Sequence, residues 1–349
     1  SLYGMLYAFD HLYMMGNKNL TRAKVLPNGD LGPTEFLAEM NGGGEHGPHD
    51  VILTPDGKNL FVIAGNHTLV PDHATRRNPS AFEEDLLLPR QPDARGHARN
   101  IRAPGGWICQ VTPDGKKWDL FSSGYRNPYG LALNNHGELF TYDADMEWDI
   151  GSPWYRPTRV CHVTAASEFG WRSGTGKWPT WYPDSLPPVV DIGPGCPTGI
   201  TFGTGAKFPG KYQKALFISD WSYGILYAVH MQPKGSTYTG TTERFLSAAP
   251  LPLTDVLINP ADGAMYFTIG GRRTQSVLYR VTYAVKESTK PVDGKNTAGS
   301  KERSLRRQLE AMQRPGAVGV TESLWPHLSS PDRHIRFAAR VAIEHQPVE

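Results

Sequence analysis

One hairpin plan, written four times with variations, constrains this chain more than any other feature. "HDVILTPDGKNLFVIAG" (49–65), "YGLALNNHGELFTYDAD" (129–145), "TGITFGTGAKFPGKYQKALFISD" (198–220) and "TDVLINPADGAMYFTIG" (254–270) share it. Each has a short apolar run, a turn containing glycine, and a second alternating run. Apolar residues at every second position fit strands, and Pro or Asn with Asp or His and then Gly is hairpin turn chemistry. Further strands are expected between these hairpins, in "GWICQVTPDGKKWDLFSS" (106–123) and "GILYAVHM" (224–231), so the repeating unit is larger than one hairpin. A recurring four-stranded unit is the mark of a β-propeller; a β-sandwich has no need of the same hairpin four times. The 37 Gly and 29 Pro in 349 residues agree with many short strands joined by turns.

Two segments break the pattern. Residues 69–104 are too long and polar for a propeller turn and read as an ordered insertion over one face. The stretch "KESTKPVDGKNTAGSK" has linker composition, and beyond it the apolar period becomes helical. "SLRRQLEAMQ" reads as a helix. "SSPDRHIRFAARVAIEHQ" reads as another, with a cap at Ser330, Pro331 in its first turn, and Ile335, Phe337, Ala338, Val341 and Ala342 on one face. The expected organisation is a propeller over 1–284 with its earliest strands truncated, a linker over 285–302, and the start of a helical repeat over 303–349. So small a helical pair cannot bury its apolar face alone, which suggests the first unit of an α-solenoid.

Charge is nearly balanced at +2, with no Lys/Arg block, so neither nucleic acid nor an anionic membrane is implied as partner. A small-molecule site fits better. Cys109, Cys161 and Cys196 form neither CxxC nor CxxCH, so the sequence offers no zinc knuckle, redox pair or covalent haem site, and buried free thiols are expected, with one disulfide plus an orphan as the alternative. No apolar run reaches membrane-spanning length. The abrupt start, without an initiator Met, reads as a piece of something longer.

Propeller sites lie where the innermost strands begin, so residues flanking each first hairpin are the candidates. His46 and His49 stand in "GGGEHGPHD", where a histidine titrating near neutrality suits a general base; the alternative is that either one only bonds loop backbone. Arg126 and Asn127 precede Pro128, which holds them extended. A fixed cation beside an amide suits a carboxylate, a quinone oxygen or a developing oxyanion, and an inter-blade ion pair is the competing role. Asp143, Asp145, Glu147 and Asp149 alternate and so project to one side of an extended chain. Such a cluster calls for a cation, with calcium as candidate, or for pairing with Arg156 and Arg159. Arg272 and Arg273 form a last basic loop.

"HGPHDVILTPDGKNLFVIAG" together with "GYRNPYGLALNNHGELF" resembles the glucose/sorbosone dehydrogenase family over roughly residues 40–284. The resemblance implies an all-β, six-bladed propeller that uses pyrroloquinoline quinone (PQQ) and calcium. It implies a sugar or polyol as substrate, His46 as the base taking the hydroxyl proton, and Arg126, Asn127 and Pro128 as the motif contacting the quinone. More narrowly, "DLLLPRQPDARGHA", "FTYDADMEWDIGSPWYRPTRVCHV" and "NPADGAMYFTIGGRRTQS" resemble large secreted proteins of planctomycete-type bacteria. Those join such a propeller to HEAT-like repeats and a c-type cytochrome domain. This implies a periplasmic or extracellular parent protein whose haem domain lies outside the fragment.

The chain also departs from the family. The calcium-binding acidic position falls near Arg159, and the basic residues that hold the quinone carboxylates fall on Ser222, Pro252 and Thr254. The resemblance therefore implies either a sugar or polyol oxidoreductase using PQQ or another redox cofactor, or a propeller without catalysis. A carbohydrate-binding scaffold and a calcium-dependent hydrolase stand as the alternatives.

Overall fold

The computed structural model describes residues 2–78, 98, 101–146, 156–172, 176–271, 273–315 and 320–347. Their strands form successive antiparallel meanders arranged as propeller blades. Blade 1 is β1 (Leu2–Ala8), β2 (His11–Gly16), β3 (Asn19–Val25) and β4 (Leu31–Glu39). Blade 2 is β5 (Pro48–Leu53), β6 (Leu60–Ala64), β7 (Gly106–Val111) and β8 (Trp118–Tyr125). Blade 3 is β9 (Leu131–Leu133), β10 (Leu139–Asp143), β11 (Thr158–Val163) and β12 (Val190–Gly193). Blade 4 is β13 (Pro197–Phe202), β14 (Leu216–Asp220), β15 (Ile225–Lys234) and β16 (Thr237–Ser247). Blade 5 has three strands, β17 (Leu253–Ile258), β18 (Met265–Gly271) and β19 (Thr274–Val281). The four repeated hairpins are the inner halves of blades 2 to 5.

The expectation of six blades is corrected to five among the described residues. The four hairpin repeats account for four blades and residues 2–39 supply a fifth. After β19 the chain has neither an alternating apolar run nor a hairpin turn, and it proceeds to helices instead.

Alternation along each strand feeds two different cores, because each blade is covered on both faces. On β6, Leu60, Val62 and Ala64 pack with Tyr13, Met15 and Trp107 between blades 1 and 2. Phe61 and Ile63 point the other way, to Leu131, Leu139 and Cys161 between blades 2 and 3. On β14, Leu216 and Ile218 face blade 3 while Phe217 faces blade 5. A fully apolar strand such as "LFVIA" is what burial on both faces demands. Cys109 and Cys161 are buried free thiols in these cores, and Cys196 is half-buried.

Beyond the propeller the described helices are α1 (Ser300–Ala311), α2 (Val320–Leu324) and α3 (Arg333–Glu344). The N-cap of α3 is Asp332, not the expected Ser330: its carboxylate accepts from the N–H groups of His334 and Ile335. Part of the apolar face of the helical pair packs on the propeller. Phe337 and Val341 join the core between blades 2 and 3, and Arg306 of α1 reaches Glu138 of blade 3. None of the described helices is long and apolar enough to cross a membrane.

Candidate functional site at the channel mouth

The pairing Pro48↔Ala64, with Gly106↔Tyr125, brings the start of β5, the end of β6 and the end of β8 to one end of blade 2. Three loops meet there: 42–49, 65–67 and 126–128. Gly42, Gly43 and Gly44 enter at φ 147°, 146° and 80°, conformations that other residues adopt only at a cost. Gly42 bridges Thr68, and a side chain on it would strike the backbone of His67. The glycine run thus delivers the short 3-10 turn Gly44–His46 against the 65–67 loop.

His46 is buried, and its Nδ1 lies 2.6 Å from Asn66 Oδ1. With the amide oxygen as acceptor, the ring proton sits on Nδ1 and the lone pair on Nε2. The ring lies 4.6 Å from that of His67. His49 sits at an irregularity in the β5–β6 register, stacked 4.2 Å from Tyr129. Its Nε2 donates to Asn127 Oδ1 at 2.7 Å, while its buried Nδ1 has no partner. Burial pulls this imidazole down to about 4 against the help of Asn127, so it is neutral at pH 7. Asn127 Nδ2 donates to Glu45 O at 3.2 Å, so both ends of that amide are engaged within the site.

Arg126 lies on the same corner. Its carbonyl accepts from Asn66 N–H at 2.9 Å. Its half-buried guanidinium has no hydrogen-bond or ion-pair partner among the described residues. The corner is held by Asp143: the Arg126 and Asn127 N–H groups donate to Asp143 Oδ1 at 3.0 and 3.1 Å.

Asp143 ends β10 fully buried, with Oδ2 3.1 Å from Arg159 Nη2 and 3.2 Å from Lys177 Nζ. Burial pushes its carboxyl up, but Lys177 and Arg159 outweigh burial and hold it below the usual carboxylate range. Asp145 is buried two residues further on and has interactions of its own. Glu147, Asp149 and Arg272 lie outside the described residues. Among the described residues no group of three or more His, Cys, Asp or Glu side chains is placed to hold a metal ion. Arg273 is exposed on the β18–β19 turn, with φ 71°, and it belongs to blade 5 rather than to the His46 cluster.

Sequence reasoning missed three participants. Asn66 fixes the His46 ring, and only its place directly after β6 hints at this. Lys177 carries no signal in the sequence. Asp50, next to His49, accepts from Leu131 N–H of the neighbouring blade, and burial with nearby Asp255 pushes its carboxyl up to about 6. Asp255 holds the same place in the last repeat, which is a signal the text contains.

The fold is thus a β-propeller in which His46, His49, Asn127 and an arginine without a partner among the described residues gather at one end of blade 2. No family model and no curated protein sequence matches the chain. Among solved structures it is similar to a PQQ-bound aldose sugar dehydrogenase from Streptomyces coelicolor, at 15% identity and TM-score 0.52, over 80% of this chain and 79% of that one. It is similar to a glucose dehydrogenase at 18% identity and TM-score 0.57, over 81% and 83%. A carbohydrate-active enzyme of family AA12 from Trichoderma reesei matches at 11% identity and TM-score 0.53, over 76% and 77%. The resemblance to PQQ-dependent sugar dehydrogenase propellers is distant, and it is a likeness of fold.

Proposed function

We propose that the channel mouth oxidises a hydroxyl group of a sugar or polyol. The observation that carries this reading is the His46–Asn66 bond, which fixes the ring with its proton on Nδ1, on the corner that presents Arg126, whose guanidinium has no partner among the described residues. His46 Nε2 takes the hydroxyl proton, and the Arg126 guanidinium offsets the charge that develops on the oxygen. Asn127 and neutral His49 position the corner. A redox group bound at the mouth would accept the carbon-bound hydrogen as hydride, so that proton loss to His46 and hydride loss from carbon together leave a carbonyl.

PQQ in the family's pose does not fit the residues present. Its carboxylates need cations, whereas Ser222, Pro252 and Thr254 stand at those places. The Thr254 hydroxyl bonds Thr268 Oγ1 at 2.8 Å instead. This observation favours two further readings, another redox cofactor or a carbohydrate-binding propeller without catalysis. An exported location and a c-type cytochrome domain as electron acceptor belong to the same proposal.

Dye reduction with aldoses and polyols, in the presence of PQQ or of extracts containing other redox groups, tests the reading. Turnover should fall at least 100-fold in His46→Ala and in Arg126→Ala, with the fold intact by circular dichroism. Retained turnover in His46→Ala removes it as the base. Sugar binding without dye reduction under any condition leaves the binding propeller.

A further inference from the structure

The carboxylates at the end of β10 call for a cation, and the chain supplies its own. Lys177 is buried, on a short hairpin in which Trp171 pairs with Lys177 and Arg172 with Gly176. Its Nζ meets three oxygens from two pieces of chain: Asp143 Oδ2 at 3.2 Å and the adjacent carbonyl of Ala144, and the carbonyl of Pro157 at 3.4 Å. One carboxylate and two carbonyls form the kind of oxygen set that hard metal ions take. We infer that the Lys177 ammonium is a built-in cation that takes the place of a metal ion in this oxygen cage and holds the Arg126–Asn127 corner through Asp143.

Charge supports the assignment. Asp143, Arg159 and Asp191 lie side by side across β10, β11 and β12. Lys177 completes a set of two carboxylates and two cations, so these four groups leave no net negative charge for a dication. Asp191 is exposed to solvent, and among the described residues the buried Asp145 nearby is already engaged. Burial pulls Lys177 down to about 8, which still leaves it protonated at pH 7. A buried ion pair gains little stability over apolar packing. What it fixes here is position: Asp143 Oδ2 takes the ammonium while Oδ1 takes the N–H groups of Arg126 and Asn127. Lys177 is therefore a positioning residue, whatever the mouth binds.

The test is thermal unfolding and ion binding of the full chain, independent of any turnover. The wild-type melting temperature should be the same in EDTA and in millimolar calcium, and terbium luminescence should show no saturable site. Lys177→Ala should melt roughly 5 °C or more lower. Potassium, ammonium or methylammonium should restore at least half of that loss in a saturable manner. The same salts should leave the wild type unmoved, with tetramethylammonium chloride matching ionic strength. Calcium that stabilises the wild type saturably, and fails to do so in Asp143→Asn, overturns the inference. So does a folded Lys177→Ala protein that gains nothing from any of these cations. If Lys177→Ala does not fold, the wild-type calcium and terbium measurements decide alone: no site supports the inference, and a site abolished by Asp143→Asn refutes it.

Discussion

Acid should loosen the channel mouth through His49, by an amount the structure allows to be worked out. Its ring is 1% exposed, stacked on Tyr129 and edge-on to Tyr3 at 6.0 Å. Protonation would place a charge in that apolar slot and a second N–H on Nδ1, which has no acceptor. The native imidazole is accordingly held at about 4 where the ordinary value is 6.5. Between those values the unfolded chain binds a proton that the native chain does not. Stability attributable to His49 is therefore complete above pH 6.5 and falls as pH drops towards 4. The slope approaches about 1.4 kcal/mol per pH unit and the total is about 3 kcal/mol. His162 is depressed to about 4 mainly by burial as well, so the wild type should show the effect of more than one histidine. Urea unfolding at pH 7.5, 6.5, 5.5 and 4.5, repeated on His49→Gln, isolates the term. The variant should lose close to one proton's worth of slope, whatever its absolute stability. An unchanged slope, or a His49 ring signal titrating near 6.5 in NMR, refutes the reasoning.

Two other substitutions follow from buried geometry. Glu138 accepts from His162 Nε2 at 2.8 Å and from Arg306 and Arg307 at 2.6 Å each, and Arg306 is 2% exposed. Glu138→Gln should cost about 1.5–3 kcal/mol in urea unfolding, because the buried Arg306 loses one of its two carboxylate partners and keeps Glu310 at 3.0 Å; a loss under 1 kcal/mol contradicts this. A side chain at Gly65 would strike both Asn127 Oδ1 and the carbonyl of His46. Gly65→Ala should therefore lower dye-linked turnover at least tenfold while shifting the melting temperature by only a few degrees; unimpaired turnover would show that the three loops need not meet this closely.

The hairpins are legible in the sequence because strand period and turn chemistry agree at each repeat. "TPDGK" and "NNHGE" mark turns that the structure places between paired strands. Blade number is not legible in the same way. Residues 2–39 form a blade without the shared hairpin text, and the family resemblance brings a count that this chain does not follow. The carboxylate run shows a different limit. Alternation places Asp143 and its neighbours on one side of an extended chain, but the meaning of Asp143 depends on Lys177, 34 residues away on another hairpin. No local pattern announces a contact of that kind. The cap of the last helix is missed for a local reason: Ser330 and Asp332 are both good caps, and only the hydrogen bonds to His334 and Ile335 choose between them.

A comparison within the chain explains why Asp143 reads like a metal ligand and acts as a clamp. Asp220 ends β14 in the next blade, at the same place in the repeat. It too accepts backbone N–H groups, from Cys196 at 3.2 Å, Ser222 at 2.9 Å and Tyr223 at 3.1 Å. In both blades an aspartate at the end of the second strand ties down the segment approaching the first strand, a task that buried backbone donors at a blade corner require. The two differ in their second oxygen. Asp220 Oδ2 is buried without a partner, and burial pushes that carboxyl up. Asp143 Oδ2 faces Arg159 and Lys177, and its carboxyl is held down. The clamp is thus a repeated structural device, and the cations are an addition specific to blade 3. They keep Asp143 ionised where desolvation alone would favour the neutral acid, and an ionised clamp is the stronger acceptor for the corner that carries Arg126.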